Sequence, residues 1–224
     1  MKNTLYSIGI VLLLVGCASD PTIQTGPGAE VSHDGLHRVD NSRMQRAWIK
    51  PDVNLSHYDK VRLVGAGIEY RAVRHASRSI RANSSRNDFP LDEKQKERVL
   101  KNVREVFLSE IGKSKHFTIV SDEGPGVLEL TGALIDVVSN VPPDPIGNTD
   151  FYLSKLGEAT LVVELRDSQS EEILARAIDR QAVEPTFLQE SNPVLNTSEV
   201  RREIRKWGDL LRVRLDEFHE TATQ

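Results

Sequence analysis

The sequence predicts an α+β fold: a two-layer sandwich in which a mostly antiparallel sheet of about five strands carries, on one face, a helix after the first strand and a C-terminal helix. Three observations predict it. Apolar residues recur at helical spacing in two long segments, near residues 92–112 and 197–218. Short apolar or alternating runs fill the stretches between them. Each helical segment is apolar along one stripe only, so both stripes need a sheet face to cover them.

The first strand is expected at Val61 to Tyr70, VRLVGAGIEY, which is short and apolar, with Gly65 and Gly67 marking a bulge or a close backbone approach. Gly65-x-Gly67 also matches the opening of a dinucleotide fingerprint. The third glycine is missing and no helix follows directly, so the bulge is the better reading.

The first helix is expected from Asp92. Asp92-x-x-Gln95 has the form of a capping box, and Val99, Val103, Val106, Phe107 and Ile111 keep helical spacing up to Gly112, with Lys113 and Lys115 beyond. Phe117 to Val120 and Val127 to Val138 then read as strands around the turn Asp122-Glu123-Gly124-Pro125-Gly126. Leu128, Leu130 and Leu134 share one face. A hairpin is expected from Ala159 to Asp167 and Ile173 to Val183, joined at Ser168-Gln169-Ser170. Leu161, Val163 and Leu165 would face the core opposite Ala175 and Ala177, and Glu164 would pair with Arg176 on the outer face. Thr197 and Ser198 are good N-cap residues for a final helix whose stripe is Val200, Ile204, Trp207, Leu211, Leu215 and Phe218.

The N-terminus carries a different kind of signal. Lys2 precedes an apolar run from Leu5 to Val15, and the run ends in Leu14-Val15-Gly16-Cys17. A cationic start, a short apolar stretch and small residues at the cut make a secretory signal. The run falls short of the roughly 20 apolar residues that span a bilayer, so processing is expected instead of retention as an anchor. Leu-Val-Gly-Cys resembles the lipobox at which bacterial lipoproteins are diacylated on sulfur and cleaved before the cysteine. By that resemblance Cys17 is the lipidation site. Ala18 and Ser19 follow it, not the Asp that retains such proteins in the inner membrane, so the periplasmic face of the outer membrane is the expected address. Cys17 is the sole cysteine, which excludes a disulfide or a CxxC site within one chain.

The expected organisation is therefore a signal peptide over 1–16, a lipidated flexible tether over 17–34, where apolar residues are sparse, and one globular domain over 35–220. With 38% hydrophobic and 28% charged residues the chain is that of a folded domain, and a net charge of −4 argues against nucleic acid as partner.

Several short pieces also resemble a known family. Trp48-Ile49-x-Pro51 with Leu55-x-x-Tyr58, then Gly124-Pro125-Gly126-Val127-Leu128, Glu164 to Ser168, Asp179-Arg180, and Trp207 with Leu211-Arg212-x-Arg214-Leu215-Asp216 resemble, in this order, an uncharacterised proteobacterial lipoprotein family, the domain of unknown function numbered 3313. The likeness runs from about Gly35 to Phe218. It departs after Asp167-Ser168, where a turn glycine is expected and Glu171 or Glu172 stands. The resemblance implies a lipid-anchored domain and brings no reaction, ligand or catalytic residue.

Candidate chemistry is sparse. His33 and His37 have the spacing of paired zinc ligands on a helix, but Gly35 lies between them and no carboxylate completes the motif, so no metal is expected. There is no G-x-S-x-G elbow. Asp136, Asp167 and Asp179 fall at strand or turn positions. The most distinctive feature is the run Arg71, Arg74, His75, Arg78, Arg81 and Arg86, with no acid between Glu69 and Asp88. Arg71, Arg74, Arg78 and Arg81 would share a face if helical and would suit anionic lipid headgroups. Pro142, Pro143 and Pro145, ahead of Phe151 and Tyr152, mark a second irregular stretch. The expected function is a non-enzymatic, outer-membrane-anchored binding or assembly module of the cell envelope, without a cofactor, meeting an envelope protein or lipid headgroups. The alternative is a periplasmic hydrolase in which Asp136, Asp179 and a histidine converge in a cleft.

Overall fold

Eight strands and two helices are formed by residues 20–73, 88–142, 152–186 and 192–222, the residues that the computed structural model describes. In chain order they are β1 (Thr22–Ile23), β2 (His37–Asp40), β3 (Arg46–Ile49), β4 (Lys60–Tyr70), α1 (Glu93–Ile111), β5 (Thr118–Val120), β6 (Val127–Ser139), β7 (Gly157–Asp167), β8 (Ile173–Val183) and α2 (Pro193–Ala222). The strands form one sheet in the order β1-β2-β3-β8-β7-β6-β4-β5. Only β4 runs parallel to its neighbours, β6 and β5; every other adjacent pair is antiparallel.

The expected sandwich needs correction. The sheet holds eight strands among the described residues, not about five, and the first helix follows the fourth strand, not the first. The three missed strands are two to four residues long. Strands that short have no room for a period-2 pattern, and their pairing partners are far away in sequence. The stretch expected to be a free tether is partly sheet: Thr22 pairs with Asp40 and Ile23 with Val39. Gln24 fixes this edge although the segment has little to bury. Its backbone N–H donates to Arg38 O at 2.8 Å, its amide donates to Asp40 at 2.8 Å, and its side-chain oxygen accepts from Glu30 N–H at 2.8 Å.

Elsewhere local chemistry explains the elements. Asp92 and Gln95 form the reciprocal capping box, Gln95 N–H to Asp92 Oδ1 at 2.7 Å and Asp92 N–H to Gln95 Oε1 at 2.8 Å, and Gly112 ends α1. Gly67, at φ 104°, sits at the register shift between β4 and β6, so the paired glycines are a bulge. Glu171, at φ 59°, holds the left-handed turn position for which a glycine is expected. α2 starts four residues ahead of Thr197: Asn192 Oδ1 accepts from Val194 and Leu195 N–H at 3.1 and 2.9 Å, and Pro193 supplies the first helical residue.

Both helices lie over one face of the sheet. Leu128, Leu130, Val163 and Leu165 from the strands pack with Ile111 of α1 and Leu215 of α2, and Leu134 and Leu161 pack with Trp207 of α2. The helices also meet each other. At Gly208 a Cβ would stand 2.8 Å from Glu110 Cβ, so the absent side chain sets how near the two can come.

Candidate functional site

The face of the sheet away from the helices is a lattice of charge. Glu164 of β7 accepts from Arg176 of β8 at 2.7 Å, as the hairpin register expects, and also pairs with Arg166. Arg176 reaches Asp34 at 2.7 Å, and Arg62 of β4 bridges Glu123 at 2.6 Å and Glu129 at 3.2 Å. Burial alone would raise the Glu164 carboxyl, but the two guanidiniums hold it below its ordinary range.

At one end of this face lies a polar basin of about 730 Å³, centred on Arg71. The Arg71 guanidinium donates to both oxygens of Asp136, at 2.7 and 2.6 Å, to Asp88 at 3.1 Å, and to Glu158. Its pKa is raised, first by the Asp136 bonds. Glu158 would be raised by burial, but Lys155, Arg71 and Arg180 all donate to it and hold it at about 2. Asp136 is likewise held low, chiefly by Arg71. It sits at φ 55° where β6 breaks register against β7, a backbone state that a non-glycine residue keeps only when its surroundings enforce it. Carboxylates held so firmly ionised are poor proton acceptors near neutral pH. What this arrangement does well is tie the ends of four strands to the segment at Asp88.

On the helix side, an apolar groove of about 280 Å³ opens between the C-terminal half of α2 and the sheet. Its floor is low because the inner residues of β3 and β8 are small: Ala47 pairs with Ala177, and Ala175 with Ile49. Leu210, Leu211 and Phe218 of α2 form one wall, Met44 lies beside them, and Pro21 and Arg43 stand at the rim. A second feature of this side is Asp179. It is only 5% exposed, and its carboxyl accepts from Trp207 Nε1 at 2.8 Å, Gln181 Nε2 at 2.8 Å and Gln45 N–H at 3.0 Å. This is a buried acceptor satisfied by three donors, one of them from α2.

Of the residues singled out from sequence, Arg71 is thus fully engaged by carboxylates. Arg74, Arg78, Arg81 and Cys17 lie outside the described residues, as does Phe151, while Tyr152 lines the polar basin and is 60% exposed. Asp136 and Asp179 do not converge, because they stand on opposite faces of the sheet. Asp167 binds the Tyr58 hydroxyl at 2.9 Å and caps its own turn at Ser170 N–H, at 2.7 Å. His37 bonds to Gln24 O and His33 to Asp34, and among the described residues no three His, Cys, Asp or Glu side chains group as metal ligands. No described helix is long and apolar enough to cross a membrane. The groove escaped sequence reasoning. Its signal was present in Ala175 and Ala177, alternating small residues on an inner strand face, and in Leu210 beside Leu211, which widens the apolar stripe of α2.

No curated protein matches the chain. Among solved structures it is similar to protein XCC0632 from Xanthomonas campestris, at 10% identity over 78% of this chain and 92% of that one, with a TM-score of 0.46. It is also similar to PelC from Paraburkholderia phytofirmans, solved as a dodecamer, at 13% identity over 75% of this chain and 95% of that one, with a TM-score of 0.34. A family model described as "Protein of unknown function (DUF3313)" matches residues 30–211, and the chain belongs to that family.

Proposed function

We propose that the protein is a lipoprotein of the bacterial outer membrane, anchored through Cys17 on the periplasmic face, whose folded domain acts as a binding module of the cell envelope. One observation carries this reading, the apolar run that ends in Leu14-Val15-Gly16-Cys17, and among the described residues the sheet begins at Thr22, only five residues after that cysteine. Five residues span at most about 18 Å even when fully extended. An acylated Cys17 therefore holds the β1-β2 edge against the bilayer and does not let the domain range freely.

Ile23 and Val31, 37% and 49% exposed at this edge, suit such a position. Arg71 is not offered as a headgroup contact, because its departure would leave three carboxylates without their shared cation. Arg74, Arg78 and Arg81 remain the proposed headgroup contacts of the arginine-rich stretch, and replacing these three with Ser is expected to weaken binding to anionic vesicles without unfolding the domain.

The direct test is membrane fractionation of cells expressing the wild type and Cys17→Ser. Wild-type protein should sediment with the outer membrane and the variant should become soluble in the periplasm. A variant that stays in the membrane fraction in the wild-type proportion would overturn the anchor.

A further inference from the structure

We infer that the apolar groove between α2 and the β3-β8 floor is the seat of an acyl chain, and that the chain it takes is one carried by Cys17 of the same molecule. The inference rests on the lipoprotein reading and deepens it. Protein interiors normally close such gaps, because side chains from facing elements interdigitate to near-crystalline density. Here Ala47, Ala175 and Ala177 leave the floor low beneath Leu210, Leu211 and Phe218, and about 280 Å³ stays open and lined mostly by apolar side chains. That volume is close to the lower end of small-ligand pockets, roughly 300 Å³. The floor and the α2 wall offer an aliphatic chain apolar contact along their length, and the polar lining residues are Ser42, Arg43, Arg214 and Glu217.

The occupant is identified by where the chain enters. Pro21 lines the groove, and it stands four residues after Cys17. Four residues reach at most about 14 Å when extended, and the acyl chain adds its own length beyond the sulfur. An acyl group tied to Cys17 is thus confined to the neighbourhood of the groove mouth at a high effective concentration, whereas a free lipid must be captured from solution. Bilayer and groove compete for the chain, since both are apolar. The groove holds it when the lipidated protein is away from a bilayer and one acyl chain would otherwise stand in water.

The test uses the full-length lipidated protein from cells fed a diazirine-bearing fatty acid. The protein is purified in detergent, transferred to detergent-free buffer, irradiated and mapped by peptide mass spectrometry. The expected result is an adduct within one molecule between the acylated Cys17 peptide and peptides containing Met44 or Leu210 and Leu211. Ala177→Phe, which fills the floor, should lower the yield of that adduct at least tenfold with an unchanged circular dichroism spectrum. Ala47→Leu serves the same purpose if Ala177→Phe fails to fold.

Adducts that fall elsewhere, adducts that join different copies, or a yield that both filling variants leave unchanged would overturn the inference. So would a groove adduct of equal yield when Cys17→Ser is irradiated with the labelled lipid added free, since the occupant would then be any lipid. A protein that carries no label on Cys17 removes the lipoprotein reading and this inference with it. A labelled protein whose adducts miss the groove overturns this inference alone.

Discussion

Asp179 and Asp136 stand on opposite faces of one sheet and show two ways of keeping a carboxyl in a folded chain. Asp179 is on the helix side, nearly inaccessible, and is satisfied by one indole, one amide and one backbone N–H. Asp136 is on the open side at a bulge, where it shares Arg71 with Asp88 and Glu158. On the covered face Asp179 has three fixed donors and almost no access to water. On the open face the partners are several, partly wet and exchangeable. The covered face should therefore tolerate little change, and the charged face should give way gradually.

Substitutions can break or sharpen this contrast. Leu161 is 2% exposed beneath α2, and Leu161→Ala should cost about 2–5 kcal/mol in urea denaturation. Asp179→Ala leaves the Trp207 indole and Gln45 N–H without their acceptor and should cost about 1–3 kcal/mol. A loss well under that range would mean that the three donors find other partners.

Glu158 tests the open face through pH. Its carboxyl is held at about 2 in the folded chain against an ordinary 4.5, so its contribution is fully present above 4.5 and fades as the pH falls from there toward 2. Glu158→Gln should be less stable than wild type near pH 6, and the difference should close across that window. A difference that persists at pH 2 would assign the loss to packing, not to charge.

Asp92→Ala removes the α1 cap and should cost about 1 kcal/mol. Glu164→Gln, which weakens one cross-strand pair among several, should cost only about 0.2–1 kcal/mol and should be softened further by salt.

How much of this was readable in the sequence follows the same division. Elements that carry their own local signal were legible: the Asp92–Gln95 box, the stripe through Ile204, Trp207 and Leu215, and the hairpin in which Glu164 meets Arg176. What depends on distant partners was not. β1, β2 and β3 are too short to show a pattern, and they exist because β8 and β2 offer them hydrogen-bonding edges. The start of α2 moved to Pro193 because Asn192, ahead of a proline, caps better than Thr197 within a helix already under way. Arg71 was legible as a cation but not as a committed one, since Asp136 and Glu158 come from strands 65 and 87 residues further along the chain. The groove is a gap between elements, so Ala175, Ala177 and Leu210 carry its signal only once β3, β8 and α2 are brought together.

A lipid at Cys17, as proposed, would bring the β1-β2 edge to the bilayer. Intact-mass measurement of the membrane-fraction protein tests for that lipid most directly. The predicted result is a mature chain that begins at Cys17 and carries the added mass of a diacylglyceryl group, with or without a third acyl chain on the new N-terminus. A chain that begins elsewhere, or begins at Cys17 without added lipid mass, would contradict the account.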